Sequence, residues 1–203
     1  MKKILKISDF FFLGFAILAL LSCTYPAKTK SKSQGFDPAA IKTIGLLPIT
    51  YDKAYAPPLP SDLSGTDLST MIRRQFETQL VQKGYLVKFM DYPEGINTDE
   101  RFDPLKIEPS ILAGSSSSET DGLMQIHVTF HFGIYATERS SEEGPFSQIY
   151  LNATGRLIDS SEPSEIWQGT GRARPIQSAD FSTRLNYAVY TLAQGVLKTF
   201  PDR

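Results

Sequence analysis

The sequence predicts an α/β (α+β) domain: a mixed β-sheet of about five strands with two main helices packed on it. Three observations lead there. Apolar residues alternate through residues 123–135, where Ile126, Val128, Phe130 and Phe132 stand two apart, the period of a strand with one buried face. Leu68, Ile72, Phe76 and Leu80 recur four apart with Met71 alongside, which draws one face of a helix. A second helical stripe, Phe181, Leu185, Ala188, Leu192 and Val196, runs through residues 179–199. Each stripe needs another apolar surface to cover it, and helices on one face of a mixed sheet meet that need.

The elements follow in chain order. Residues 41–50 (IKTIGLLPIT) form a short apolar run that predicts a buried strand. Residues 51–64 carry Pro57, Pro58 and Pro60 and are expected to form a loop. The first helix starts near Thr66, with Ser64 or Thr66 as its cap and Gly84 as its stop. Residues 85–90 (YLVKFM) then predict a second strand. Residues 91–122 carry the weakest signal, broken by Pro93, Pro104 and Pro109, with a short helix expected over 108–113. The strand at 123–135 is followed by a polar turn, RSSEEG, at 139–144. Residues 148–158 give a further strand with Ile149, Leu151, Ala153 and Leu157 on one side. Residues 165–171 return as its hairpin partner. Ser178 is a fair cap for the last helix, and Phe200-Pro201 its stop.

The amino terminus has a different character. Lys2, Lys3 and Lys6 precede twelve residues, 10–21, that are almost wholly apolar, and Ser22-Cys23 follows. A positive stretch, a short apolar stretch and a small residue at the cut are the parts of a signal peptide. Twelve residues of helix cover only about 18 Å of a ~30 Å hydrocarbon core, too little for a permanent span. Leu20-Leu21-Ser22-Cys23 resembles a bacterial lipobox. That resemblance implies cleavage before Cys23 and a covalent lipid on its sulfur. Cys23 is the chain's only cysteine, so no thiol remains in the mature domain except the acylated one. Three divisions result: signal peptide 1–22, lipidated cysteine and flexible tether 23–40, and a periplasmic α/β domain 41–203. Thr24, rather than Asp, follows the cysteine. By resemblance to lipoprotein sorting in Gram-negative cells, this implies the outer membrane, with the domain facing the periplasm.

Composition narrows the function classes. Residues 36–203 hold 15 Lys and Arg against 21 Asp and Glu, a mildly acidic domain without the basic footprint that nucleic acid requires. Lys28, Lys30 and Lys32 keep the tether soluble and extended. His127 and His131 have the spacing of a helical zinc motif but lie on a predicted strand. There, side chains four apart stand about 13 Å from one another and cannot share an ion. They are expected on the less apolar sheet face, beside Gln125 and Thr129. The serine run 115–118 lacks a nucleophile elbow, and Gly169-Thr170-Gly171 lacks the third glycine of a dinucleotide fingerprint. Those glycines fit a bulge or a close backbone approach instead. The acidic pairs Asp99-Glu100 and Glu142-Glu143 fall in polar turns. Catalytic, metal and cofactor sites are therefore expected to be absent, apart from the lipid on Cys23. Four residues are candidates for partner contact. Tyr51 and Tyr55 lie in the proline-rich loop, and Arg172 and Arg174 alternate at the end of the hairpin strand.

Together, Leu46-Leu47-Pro48 ending a first strand, Lys83-Gly84-Tyr85-Leu86-Val87, Asp121 to Ile126 entering a strand, and the hairpin around Leu157-Ile158-Asp159 and Glu165-Ile166-Trp167 resemble a group of envelope lipoproteins. Their domain is similar to the amino-terminal domain of TolB, and curli-secretion-type lipoproteins belong among them. The resemblance implies a binding or assembly module without shared catalytic residues. The turn at 138–146 is too short for the long hairpins of a curli-type pore. The expected function is a membrane-anchored, non-enzymatic module that binds an envelope protein. One alternative is an auxiliary transporter subunit holding a small apolar ligand. Another is an enzyme acting on cell wall or lipid.

Overall fold

The computed structural model describes residues 31–33, 36–52, 65–96, 104–114, 119–134, 147–173 and 181–203. The strands are β1 (Ser31–Ser33), β2 (Thr43–Leu46), β3 (Thr50–Asp52), β4 (Leu86–Phe89), β5 (Gly122–Ile134), β6 (Ser147–Asp159) and β7 (Glu165–Arg172). The helices are α1 (Gly65–Gln82), α2 (Pro109–Ala113) and α3 (Phe181–Val196), with short 3₁₀ turns at Pro104–Lys106 and Leu197–Thr199. One mixed sheet runs in the order β1-β7-β6-β5-β2-β4, with β3 also paired to β5. Five of its strands are four residues or longer; β1 and β3 are three-residue strips.

The sheet changes character at β5. On one side β2 and β4 run parallel to their neighbours. On the other side β5, β6 and β7 form an antiparallel meander, with β5 and β6 paired along thirteen residues each. The α1 helix supplies the crossover that a parallel β2–β4 pair requires. It buries Leu68, Ile72, Phe76 and Leu80, the four residues of its predicted stripe. It ends at Gly84, whose φ of 92° is open to glycine and costly for other residues. The α3 helix buries Leu185, Ala188, Leu192 and Val196 and lies over β6 and β7. Both long helices share the larger core with Ile44, Leu46, Met124, Ile126, Val128, Leu157 and Trp167.

The predicted strand at 41–50 is divided. Pro48 has no N–H to give a ladder. Pairing stops after the Leu47 N–H reaches the Met124 carbonyl at 3.0 Å, and resumes at Thr50 as β3, opposite His127. Tyr51 therefore stands in a strand, opposite Val128, and not in the expected loop. Thr66 lies inside α1. Ser64, Ser178, the proline-rich stretch beyond Asp52 and the turn at 139–144 lie outside the described residues.

Helices on one face alone do not complete the molecule. Residues 90–96 and 104–112 fold across the opposite face, where Leu47, Ile107, Leu112, Leu123 and Ile158 form a second core with Met90, Tyr92 and Ile96 packed against it. The short helix expected at 108–113 is present as α2, with Pro109 at its first turn. The segment expected as tether also contributes. Ser31–Ser33 pair antiparallel with residues 167–169 of β7, and Phe36 stacks on Phe200 at 5.3 Å.

Candidate functional site

Two places concentrate polar or unpartnered groups among the described residues: a buried polar layer beneath residues 90–96 and 104–112, and the outer edge of β4.

The buried layer begins with the pleat. Gln125 and Arg156 face each other across β5 and β6 and point away from the helices. They are 0% and 4% exposed. A buried guanidinium needs acceptors for its donors, and here it has them. Its Nε donates to Gln125 Oε1 at 2.7 Å. One terminal nitrogen donates to the carbonyls of Ile107 at 2.8 Å and Pro104 at 3.2 Å. The other lies 3.9 Å from Glu165 Oε2. Gln125 Nε2 in turn donates to Tyr92 Oη at 3.1 Å. Burial pushes the Tyr92 phenol above its ordinary range, against hydrogen bonds with Gln125 and Thr50 and the nearby Arg156 and Arg73 charges. Thr50 Oγ1 lies 3.0 Å from His127 Nδ1. The layer is a clamp. Arg156 fixes the 104–107 turn, and Gln125 fixes Tyr92.

A second arginine finishes the parallel strands. Arg73 on α1 donates to the carbonyls of Leu46 and Met90, at the ends of β2 and β4, at 2.5 and 2.7 Å. Its guanidinium lies 4.2 Å over the Phe89 ring. Burial lowers its pKa, opposed by Asp91 and Glu77. At the start of β2, Asp121 Oδ2 accepts the N–H groups of Lys42 and Thr43, both at 2.8 Å. These charges are spent on backbone groups and set the register of the sheet.

The β4 edge is different. It ends the sheet order. Leu86 and Phe89 on it, and Val81 at the end of α1, are large apolar side chains about half exposed. Lys88 is the strand's one charged residue, and its ammonium lies 2.5 Å from Glu119. An open depression on the outer face of α1, lined by Thr70, Met71, Arg74, Gln75 and Thr78, lies on the same helix.

Of the sequence-predicted contact residues, Tyr51 and Arg172 are among the described residues. Arg172 is exposed at the end of β7, where its Nε donates to Asn152 Oδ1 at 2.8 Å. Tyr51 is in β3. Cys23, Tyr55, Arg174, the serine run 115–118, Asp99-Glu100 and Glu142-Glu143 lie outside the described residues. His127 stands on the expected face beside Gln125. No group of three or more His, Cys, Asp or Glu placed to hold a metal is found among the described residues. Gly169 and Gly171 serve the close approach expected of them. A Cβ on Gly171 would collide with the backbone of Gly195 and Val196, and one on Gly169 with Trp167 and the Val196 carbonyl. Sequence reasoning missed Arg156, Gln125 and Arg73. The available signal was a polar residue between apolar neighbours, Met124-Gln125-Ile126, on a face supposed to meet water.

Comparison with solved structures settles the fold. PelC from Paraburkholderia phytofirmans, described as a dodecamer, superposes with a TM-score of 0.53 over 87% of this chain and 99% of PelC, at 15% identity. The chain has the PelC fold. Lipoprotein GNA1162 from Neisseria meningitidis aligns at a TM-score of 0.45 and 16% identity, over 78% of this chain and 96% of that one. Protein XCC0632 from Xanthomonas campestris, of family DUF330, aligns at 0.44 and 12%, over 83% and 89%. No family model matches the chain, and no curated protein matches it. At 15% identity the likeness to PelC concerns architecture, not the residues of a site.

Proposed function

We propose that this protein is a lipoprotein of the bacterial envelope, anchored through a lipid on Cys23 and facing the periplasm from the outer membrane. It acts without catalysis, as a module that binds an envelope protein partner and assembles with copies of itself. The observation that carries the reading is Ser22-Cys23 placed directly after the apolar run 10–21. No described helix is long and apolar enough to cross a membrane. The solved protein that shares the fold over nearly its whole length is described as a dodecamer, which supports self-assembly. The resemblance to TolB-type envelope domains supports the same class of role. The engaged charges favour it too, since the buried Arg156, the half-buried Arg73 and the exposed Asp121 are taken up by main-chain groups and, among the described residues, do not converge on one another. Tyr51, Tyr55, Arg172 and Arg174 are proposed partner contacts. Anchoring confines the domain to a thin layer and raises its effective concentration beside its partners.

The test is a crosslink and pull-down on the intact protein in its native envelope, beside a Cys23→Ser control. The expected result is a mature amino terminus at acylated Cys23 and a specific protein partner, lost when the anchor is removed. Copurification with lipid and no protein would move the reading to an auxiliary transporter subunit. An unmodified Cys23 in the mature chain would sink the anchored reading.

A further inference from the structure

We propose that the free edge of β4 is the surface by which one copy of this chain joins a second copy, end to end. The inference rests on the self-assembly reading above and adds the interface to it.

The edge is identifiable from the ladder. The N–H groups of Leu86 and Met90 point inward, to the carbonyls of Lys42 and Leu46 at 3.0 and 3.1 Å. Main-chain groups alternate in direction along a strand, so Val87 and Phe89 direct theirs away from the sheet. Among the described residues no strand pairs with that side. Folded chains usually protect such an edge with a charge, a proline or a bulge. Here there is no proline in β4, and Lys88, its one charge, is neutralised by Glu119. Five large apolar side chains are exposed among the described residues, and three of them, Val81, Leu86 and Phe89, belong to this end of the molecule.

The occupant follows from the two ends of the sheet. The opposite edge is formed by β1, drawn from the segment that leads back to Cys23. The two ends differ, so a contact from the β4 end of one copy to the far end of the next is head to tail. Such a contact generates a ring or a filament rather than a two-fold dimer. The solved protein with this fold is described as a dodecamer, an assembly larger than a two-fold dimer. A second copy is therefore the partner that the edge and the shared fold both fit.

The experiment weighs the mature acylated protein in detergent by sedimentation and light scattering, for wild type and three variants. Leu86→Glu places a charge at the edge and leaves the inward ladder intact. Val87→Pro removes an outward N–H. Ile111→Glu changes an exposed apolar residue on α2, across the sheet. The expected result is a wild-type assembly larger than a dimer that weakens at least tenfold in both edge variants and persists in Ile111→Glu. Circular dichroism and melting temperature of Leu86→Glu should match wild type. A wild-type assembly that survives both edge changes overturns the interface and leaves self-assembly standing. So does one broken by Ile111→Glu alone. A wild type that stays monomeric at every concentration overturns self-assembly and interface together, as would a monomer whose edge captures a foreign envelope protein. A wild-type dimer overturns the end-to-end arrangement.

Discussion

Arg156 shows what a single side chain holds in this protein. It joins both strands of the central hairpin to a segment with little regular structure. Its removal would strand Gln125 Oε1 and two carbonyls away from water. Arg156→Met should destabilise the fold by about 2–4 kcal/mol, through unpaired acceptors rather than lost volume. Denaturant midpoints measure the loss, and hydrogen exchange should locate it first at residues 104–107. Arg156→Lys should recover little, because one ammonium cannot reach the positions a guanidinium fork reaches. A midpoint for Arg156→Met equal to wild type would remove the clamp. Tyr85 offers a test by pH. It is 1% exposed, donates to the Pro201 carbonyl at 3.1 Å, and burial, helped by Asp202 and opposed by Arg203, pushes its pKa up to about 12. The folded pKa lies above the unfolded value of about 10. The contribution of Tyr85 to stability is then whole below pH ~10 and is lost as pH rises through that window toward about 12. Tyr85→Phe should flatten the alkaline loss, and phenol absorbance followed against pH would show whether one late-ionising tyrosine disappears with it.

At the scale of elements, the helix α3 lies on β7 because two positions there have no side chain. Gly169 and Gly171 let the Gly195-Val196 backbone come down onto the strand. Gly171→Ala puts a methyl group into main chain, which cannot turn aside as a flexible side chain would. The expected cost is about 2–3 kcal/mol, in the range of overpacked cores. A second expected effect is faster exchange at the carboxyl-terminal end of α3 than in α1, and uniform exchange across both helices would argue against a local collision. The same glycines show how far the sequence could be read. Close packing was legible in Gly169-Thr170-Gly171, and both long helices were legible in their stripes, because each buries one face against a single broad apolar surface. The second face of the sheet was not legible. Residues 90–96 and 104–112 carry their burial in scattered residues, Ile96, Ile107 and Leu112, which follow no helical or strand period. Irregular chain can cover a sheet only if its main-chain groups find partners, and Arg156 meets part of that need from a strand fifty residues away. Local pattern holds no trace of such a pairing. The division of the first strand, by contrast, was already written in Pro48, and with it the placement of Tyr51.

Across the whole molecule, the two ends of the described chain meet at one residue. Phe200 touches Phe36 at 5.3 Å, Tyr85 at 5.2 Å and Trp167 at 4.8 Å, ring centre to ring centre. The chain beyond it is fastened to the α1–β4 turn. Lys83 Nζ donates to the Phe200 carbonyl and pairs with Asp202, and the Arg203 N–H donates to the Lys83 carbonyl. Entry segment, turn, hairpin and last helix therefore share one aromatic contact set. Under the anchoring proposed above, pull on Cys23 would reach β1 and Phe36 first. Phe200→Ala should cost about 3–5 kcal/mol, as large aromatic truncations in cores do. It should also do what an equally costly change elsewhere would not: release β1. In native-state hydrogen exchange, the amides of Ser31–Ser33 should lose protection in Phe200→Ala while those of β5 keep theirs under native conditions. A control with similar global cost, Leu123→Ala in the second core, should leave β1 comparatively protected. Equal exchange at β1 in the two variants would mean that the entry segment is held by its strand pairing alone, and that Phe200 stabilises the core without coupling it to β1.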